Sequence, residues 1–363
     1  MQSATHKAAL LLRALVFNLA LALLLLLLLE GTASILFVLH QSPKAALVQA
    51  RTHTEYDPDL GWINLPQLHI ENMYGPGTSL TTNGQRFRSS HDFASEIPAG
   101  KHRVICSGDS FTLGYGVDDA ETWCHRLEAI DATLETLNMG QNGYGIDQSY
   151  LWYERDGRKL GHDVHVLAFI DEDLGRMASN TFAGYGKPTV RIENGSVLVS
   201  NTPVPRASYR VPALTRWIPL LAQTRIAQVV DSFKPPVEPS DREQRLSIPQ
   251  LVDLAVALFE DLERAHDSSG VRFVVVRLPS FEDYRRDDLE LRKSLSRRMA
   301  AAGIEYLDLG EPANLLEPSE YASLFLEESR DPYRHPSPKG HEFIAEMIHS
   351  RLVQDLPFSS REK

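Results

Sequence analysis

The chain has 363 residues, 43% hydrophobic and 23% charged, a make-up that suits a globular protein of one or two domains. Its formal net charge of −11 argues against a nucleic-acid partner, because nucleic acid needs a basic face. There is no internal repeat, no metal-ligand cluster and no Rossmann or P-loop glycine pattern, so no metal or cofactor is implied.

The N-terminus departs from that ordinary composition. From Ala8 to Leu29 the chain is apolar except for Arg13 and Asn18, and Leu23 to Leu29 is unbroken leucine. About 20 apolar residues suffice to cross a bilayer. Lys7 and Arg13 lie on the N-terminal side, so the positive-inside rule keeps that end cytoplasmic and exports the residues beyond the apolar run. Residues 1–40 are therefore read as a single-pass membrane anchor with the rest of the chain extracytoplasmic, periplasmic in a Gram-negative cell. A cleaved signal peptide competes, with Thr32-Ala33-Ser34 as a small-residue site. Export would put Cys106 and Cys124 in an oxidising compartment; a disulfide and two buried thiols both stay open.

Residues 41–100 read as a linker and an N-terminal extension. Asp57-Pro58, Asp59-Leu60-Gly61, Gly75-Pro76-Gly77 and Asn83-Gly84 are turn formers, and they predict short strands and loops laid on a core. From Lys101 strands and helices alternate. Strands are predicted at 103–106, 134–138 and 164–170, with helices near 121–130 and 147–160. Residues 179–247 break the rhythm as an insertion or cap. They include a hairpin over 189–200 whose turn is Asn194-Gly195. The rhythm then resumes: a helix after Ser247, a strand at 271–278, a helix at 289–302 and a strand at 305–309. A last helix carries the stripe Phe343, Ile344, Met347, Ile348 and Leu352. Such alternation predicts an α/β domain over 101–356, a parallel sheet with helices on both faces.

The chemistry concentrates at two places. Gly108-Asp109-Ser110-Phe111-Thr112 follows the apolar strand and precedes a glycine-rich turn. That position fixes a serine and brings backbone N–H groups near a substrate oxygen. A serine hydroxyl needs a base, and His335 is the candidate, with Asp331 to orient it. Glu327 and Glu328 are alternative acids.

The extended stretch Gly108 to Trp123 and the second stretch Asn138-Met-Gly-Gln-Asn-Gly143-Tyr-Gly-Ile-Asp-Gln148 together resemble the SGNH, or GDSL-like, hydrolase family. The resemblance implies a three-layer α/β/α flavodoxin-like domain and serine-dependent ester hydrolysis or acyl transfer. It implies a substrate such as an ester-bearing glycan or lipid outside the cytoplasm. It also implies an oxyanion hole built from the Ser110 and Gly143 N–H groups. The chain departs from the family twice. Asp331 lies four residues before His335, where the family uses three or fewer. The family's third-block asparagine is missing from Leu167-Ala-Phe-Ile-Asp171-Glu172-Asp173-Leu-Gly-Arg176. Asp171 or Glu172 falls in its place as a possible site-lining carboxylate. Arg176 could neutralise that cluster, and Asn142 or Asn180 could donate instead. The departure leaves a second reading open, a non-catalytic membrane-anchored protein of the same fold that binds glycan or assists export.

Overall fold

The computed structural model describes residues 2–41, 53–183, 185–204, 246–284, 289–327, 331 and 333–355. Most of the second half of the expected insertion, and Glu328, lie outside the described residues. The chain divides into two compact units, Met1–Gln49 with Ala207–Ser240, and Ala50–Arg206 with Asp241–Lys363.

In the first unit the described element is helix α1, Gln2–Gln41. Its segment Leu10–Ile35 has 26 residues and is long and apolar enough to cross a membrane. At 1.5 Å per residue it measures about 39 Å, against a hydrocarbon thickness of about 30 Å.

The second unit opens with two hairpins, β1 (Thr54–Asp57) with β2 (Gly61–Asn64) and β3 (His69–Ile70) with β4 (Leu80–Thr81). The α/β rhythm follows with β5 (His102–Gly108), the short α2 (Ser110–Leu113), α3 (Trp123–Ile130), β6 (Leu134–Gly140), α4 (Ile146–Arg155), β7 (Val164–Phe169) and α5 (Asp171–Arg176). Two small antiparallel pairs come next, β8 (Thr181–Phe182) with β9 (Tyr185–Gly186) and β10 (Thr189–Glu193) with β11 (Ser196–Ser200). The remainder is α6 (Ile248–Asp267), β12 (Arg272–Arg277), α7 (Leu289–Ala302), β13 (Glu305–Asp308), α8 (Gly310–Ala313), α9 (Pro318–Ser323) and α10 (Pro338–Asp355).

Five strands form one parallel sheet in the order β13-β12-β7-β5-β6. Side chains alternate across a strand, and here both faces are apolar. Ile105, Leu137, Leu167 and Val275 pack against α4, α6 and α7. Val104, Cys106, Val166 and Val276 pack against α3, α9 and α10. The architecture is thus three-layer α/β/α, as the alternation predicted. The first layer's core also takes Leu60, Trp62, Phe87 and Phe93 from the N-terminal extension.

Boundaries shift by a few residues for local reasons. The helix expected near Glu121 starts at Trp123, because Asp118 caps a separate 3₁₀ turn at Asp119–Glu121 and the Thr122 side chain caps α3. The helix expected to reach Leu160 ends at Arg155, before another 3₁₀ turn at Gly157–Lys159. The 189–200 hairpin has the expected turn, with φ of 52° at Asn194 and 75° at Gly195. Cys106 on β5 and Cys124 on α3 are joined by a disulfide, with Cα atoms 6.2 Å apart.

Candidate active site

The site forms at the carboxyl ends of β5, β6 and β7, where their loops emerge side by side. β5 and β6 pair up to Gly108 opposite Gly140. A side chain at Gly140 would place its Cβ 1.9 Å from the Leu113 backbone nitrogen, so only glycine lets β6 lie this close to α2. The Asn138 amide donates to Thr112 O at 2.8 Å, and Gln141 N donates to Gly108 O at 3.1 Å. The two motif stretches are thereby one structural unit.

Ser110 is the first residue of α2. Asp109 caps that helix by accepting the Phe111 N–H at 2.8 Å. The first N–H groups of a helix have no intrahelical partner, so the Ser110 N–H is left for another acceptor. Ser110 Oγ lies 2.8 Å from His335 Nε2. His335 Nδ1 lies 2.6 Å from Asp331 Oδ2, and the His335 backbone N–H donates to the same oxygen at 2.6 Å. An ionised carboxylate only accepts, so Nδ1 carries the proton and Nε2 offers its lone pair to the Ser110 hydroxyl. Ser110 and His335 keep 6% and 8% exposure, enough to be reached, while Asp331 keeps 1%. Burial alone would raise the Asp331 pKa. The hydrogen bonds from the His335 side chain and backbone, with the Tyr333 N–H, outweigh it and hold the group below the usual carboxylate range. The four-residue spacing that set this chain apart therefore still brings acid and histidine together.

The His335 ring stands between Tyr115, at 4.5 Å between centroids, and Phe111, at 5.2 Å. Burial, with the nearby charge of Asp331, pushes the Tyr115 hydroxyl up, so it stays neutral. Backbone bonds strap the histidine segment in place: Leu326 N donates to His335 O and Ser337 N donates to Leu324 O, each at 2.8 Å.

Gly143 has φ of 75°, and a Cβ there would meet the Phe182 ring at 2.3 Å. Backbone and neighbour both demand glycine. The adjacent Asn142 carbonyl accepts the Trp62 indole N–H at 2.8 Å, so the loop carrying Gly143 is pinned by the N-terminal extension. The Asn142 side-chain oxygen is buried without a hydrogen-bond partner among the described residues. Asn180 accepts the Lys187 N–H at its carbonyl.

The three acids after β7 separate. Asp171 does not stand beside the serine as a free carboxylate. Both its oxygens are taken by Arg277, at 2.7 and 2.6 Å, and the same guanidinium also holds Asp283 and Asp308. Glu172 is exposed; its carboxyl is raised by desolvation and by Asp171. Asp173 is the acid that joins the site. It is the third residue of α5, and its carboxylate turns back to accept the Ile170 N–H at 3.1 Å. Arg176 bonds Asp173, the Tyr144 carbonyl at 2.8 Å and Asp109 Oδ2 at 3.2 Å. Ser110 Oγ lies 3.3 Å from that same Asp109 oxygen. Burial and the Asp109 charge push the Asp173 carboxyl well up, against the pull of Arg176. Arg176 thus pairs with Asp109 and Asp173, not with the Asp171 and Glu172 expected.

Several further residues support the site. Arg88 donates to Leu113 O, Gly114 O and Val117 O at 2.6 to 2.8 Å, fixing the glycine turn behind Ser110. Lys187, fully buried in the inserted segment, ties it to Asp147 of α4 at 2.6 Å. The Phe182 ring covers Gly143 and also lies under the Arg176 guanidinium, 5.0 Å from its centroid.

No family model and no curated protein matches the chain. Solved structures are similar to it over about 70% of its length. A lipolytic G-D-S-L family protein from Veillonella parvula is 14% identical, covering 70% of this chain and 100% of its own, with a TM-score of 0.39. A lipase/acylhydrolase from Enterococcus faecalis is 12% identical over 70% of this chain and 96% of its own, TM-score 0.40. An acetyl xylan esterase is 14% identical over 69% and 99%, TM-score 0.41.

Proposed function

We propose that the chain is a serine-dependent esterase or acyl transferase of the SGNH type. The observation that carries the reading is the array Ser110 Oγ–His335 Nε2 and His335 Nδ1–Asp331 Oδ2, at 2.8 and 2.6 Å. Ser110 attacks the acyl carbonyl while His335 takes its proton; His335 then returns that proton to the leaving alcohol. Asp331 holds the ring in the required tautomer and stabilises the imidazolium. The Ser110 and Gly143 N–H groups receive the developing oxyanion. In the second half His335 activates water, or an acceptor hydroxyl if the acyl group is passed on.

The substrate in this reading is an ester-bearing glycan or lipid outside the cytoplasm. Two features support it: α1, which carries basic residues at its N-terminal end and could tether the protein, and the disulfide, which suits an oxidising compartment. The test is turnover of p-nitrophenyl acetate and butyrate by the detergent-solubilised full chain beside Ser110→Ala. The variant should lose turnover and keep its thermal transition; wild-type rates in the variant would sink the assignment.

A further inference from the structure

The stretch between Asp331 and His335 must double back so that one carboxylate reaches both the ring and the backbone of a residue four positions on. It does so as a turn organised by Asp331. Its Oδ1 accepts the Tyr333 N–H at 3.0 Å, and its carbonyl accepts the Arg334 N–H at 3.1 Å. Arg334 then adopts φ of 53°, the left-handed region that a side chain other than glycine or asparagine rarely occupies. Such a backbone persists where its surroundings over-determine it. At Arg334 a visible cause is the guanidinium, whose central carbon lies 3.6 Å from the centroid of the Phe281 ring. That distance is well inside the range of a cation–π contact. Phe281 is itself held. It opens the 3₁₀ turn Phe281–Tyr284, in which Asp283 pairs with Arg277 at 2.9 Å and with Arg292 at 3.1 Å. Its ring also meets Phe325 edge-on at 5.7 Å, next to the segment that straps His335 from the other side.

We infer that Arg334 is a positioning residue: clamped on Phe281, it holds the left-handed turn that aims His335 at both Asp331 and Ser110. The clamp acts on the N-terminal side of the histidine, where the strap to residues 324–326 does not reach. Tyr115, Tyr333, Asp331 and Ser110 are the titratable or hydroxyl-bearing neighbours of the ring; of these Asp331 accepts the Arg334 N–H, and the Arg334 side chain holds the turn from the Phe281 side. The inference rests on the reading of Ser110 and His335 as nucleophile and base, so its test has a readout that does not need turnover.

The full-length protein in detergent is compared as wild type, Arg334→Ala, Arg334→Gly, Arg334→Lys and Phe281→Ala. Arg334→Ala removes the clamp and keeps a residue that resists the left-handed backbone. Its kcat on p-nitrophenyl acetate should fall by about 10- to 100-fold with KM within about twofold, as expected of a misaimed base. Arg334→Gly loses the clamp but adopts the turn freely, so it should retain more activity than Arg334→Ala. Arg334→Lys keeps a cation over the ring and should lie closest to wild type. In parallel, nitrogen-15 histidine labelling reports the hydrogen-bonded His335 Nδ1 proton. Its downfield resonance should weaken or vanish in Arg334→Ala and Phe281→Ala and remain in Arg334→Lys. If the wild type turns over no ester, the functional reading fails, and the resonance still decides the role of Arg334. An unchanged resonance in Arg334→Ala, or kcat in that variant equal to wild type, overturns the inference. So does a Gly variant no better than Ala, because holding the left-handed backbone would then not be what the Arg334 side chain contributes.

Discussion

Replacing Asp331 with asparagine probes the site at its most constrained atom. Three N–H groups converge on this carboxylate: His335 Nδ1 and His335 N on Oδ2, and Tyr333 N on Oδ1. An asparagine offers one accepting oxygen and one donating nitrogen. With its NH₂ toward His335, donor would face donor, and the ring would relax by moving its proton to Nε2. It would then present a hydrogen, not a lone pair, to Ser110. With its NH₂ toward Tyr333 the turn loses a bond instead, and the imidazolium formed in the reaction loses its counter-charge. Either way kcat/KM should fall by about 10³- to 10⁴-fold, the scale seen when a triad acid becomes an amide. That corresponds to about 4–5.5 kcal/mol of transition-state stabilisation. The cost in folding stability should be smaller, about 1–3 kcal/mol for a buried hydrogen bond left unmade. The assay is steady-state hydrolysis of p-nitrophenyl acetate, with urea unfolding as the fold control and Glu327→Gln beside it. Activity within a few-fold of wild type in Asp331→Asn, or a larger loss in Glu327→Gln, would refute the reasoning.

Two further predictions rest on other parts of the molecule. His165, His266 and His341 are buried neutral, and desolvation lowers their pKa values, to about 4 for His266 and about 3 for His341. The unfolded chain takes up these protons below about pH 6.5 while the fold refuses them, so stability should fall as pH drops from 6.5 toward 4. Asp173, whose carboxyl is raised, runs the other way. The histidines, with His162 lowered as well, outweigh it, so the urea midpoint should be lower at pH 5 than at pH 7; an unchanged or higher midpoint at pH 5 would contradict it. For the N-terminal helix, the intact chain should stay with membranes through carbonate extraction, and a soluble form starting near Ala33 to Ile35 would show a cleaved signal instead.

Much of this architecture could be read from the residues. The sheet was legible because runs such as Val104-Ile-Cys106 and Val164 to Ile170 are apolar on both faces, which parallel strands between two helix layers require. Ser110 and His335 were legible because each stands in a stretch of glycine or proline that helices and strands avoid. The role of the acids after β7 was not. Adjacent helical residues point about 100° apart, so which of Asp171, Glu172 and Asp173 turns inward depends on where α5 begins. It begins at Asp171, which sends Asp173 to Arg176 and leaves Asp171 to Arg277. Arg277 itself carried a hint: a charge inside Phe273-Val-Val-Val-Arg-Leu278 must find buried partners. Trp62 and Phe182 gave none. Each reaches the site from a segment distant in sequence, and such contacts depend on how loops fold back onto the sheet.

The central claim is that Ser110 is an activated nucleophile. The most direct measurement is reaction of the intact protein with a serine-directed phosphonate, followed by peptide mass spectrometry to locate the adduct. The account predicts a single adduct on Ser110, absent from Ser110→Ala and slowed in Asp331→Asn. An adduct on another serine, or none on Ser110 in a protein that hydrolyses esters, would contradict it.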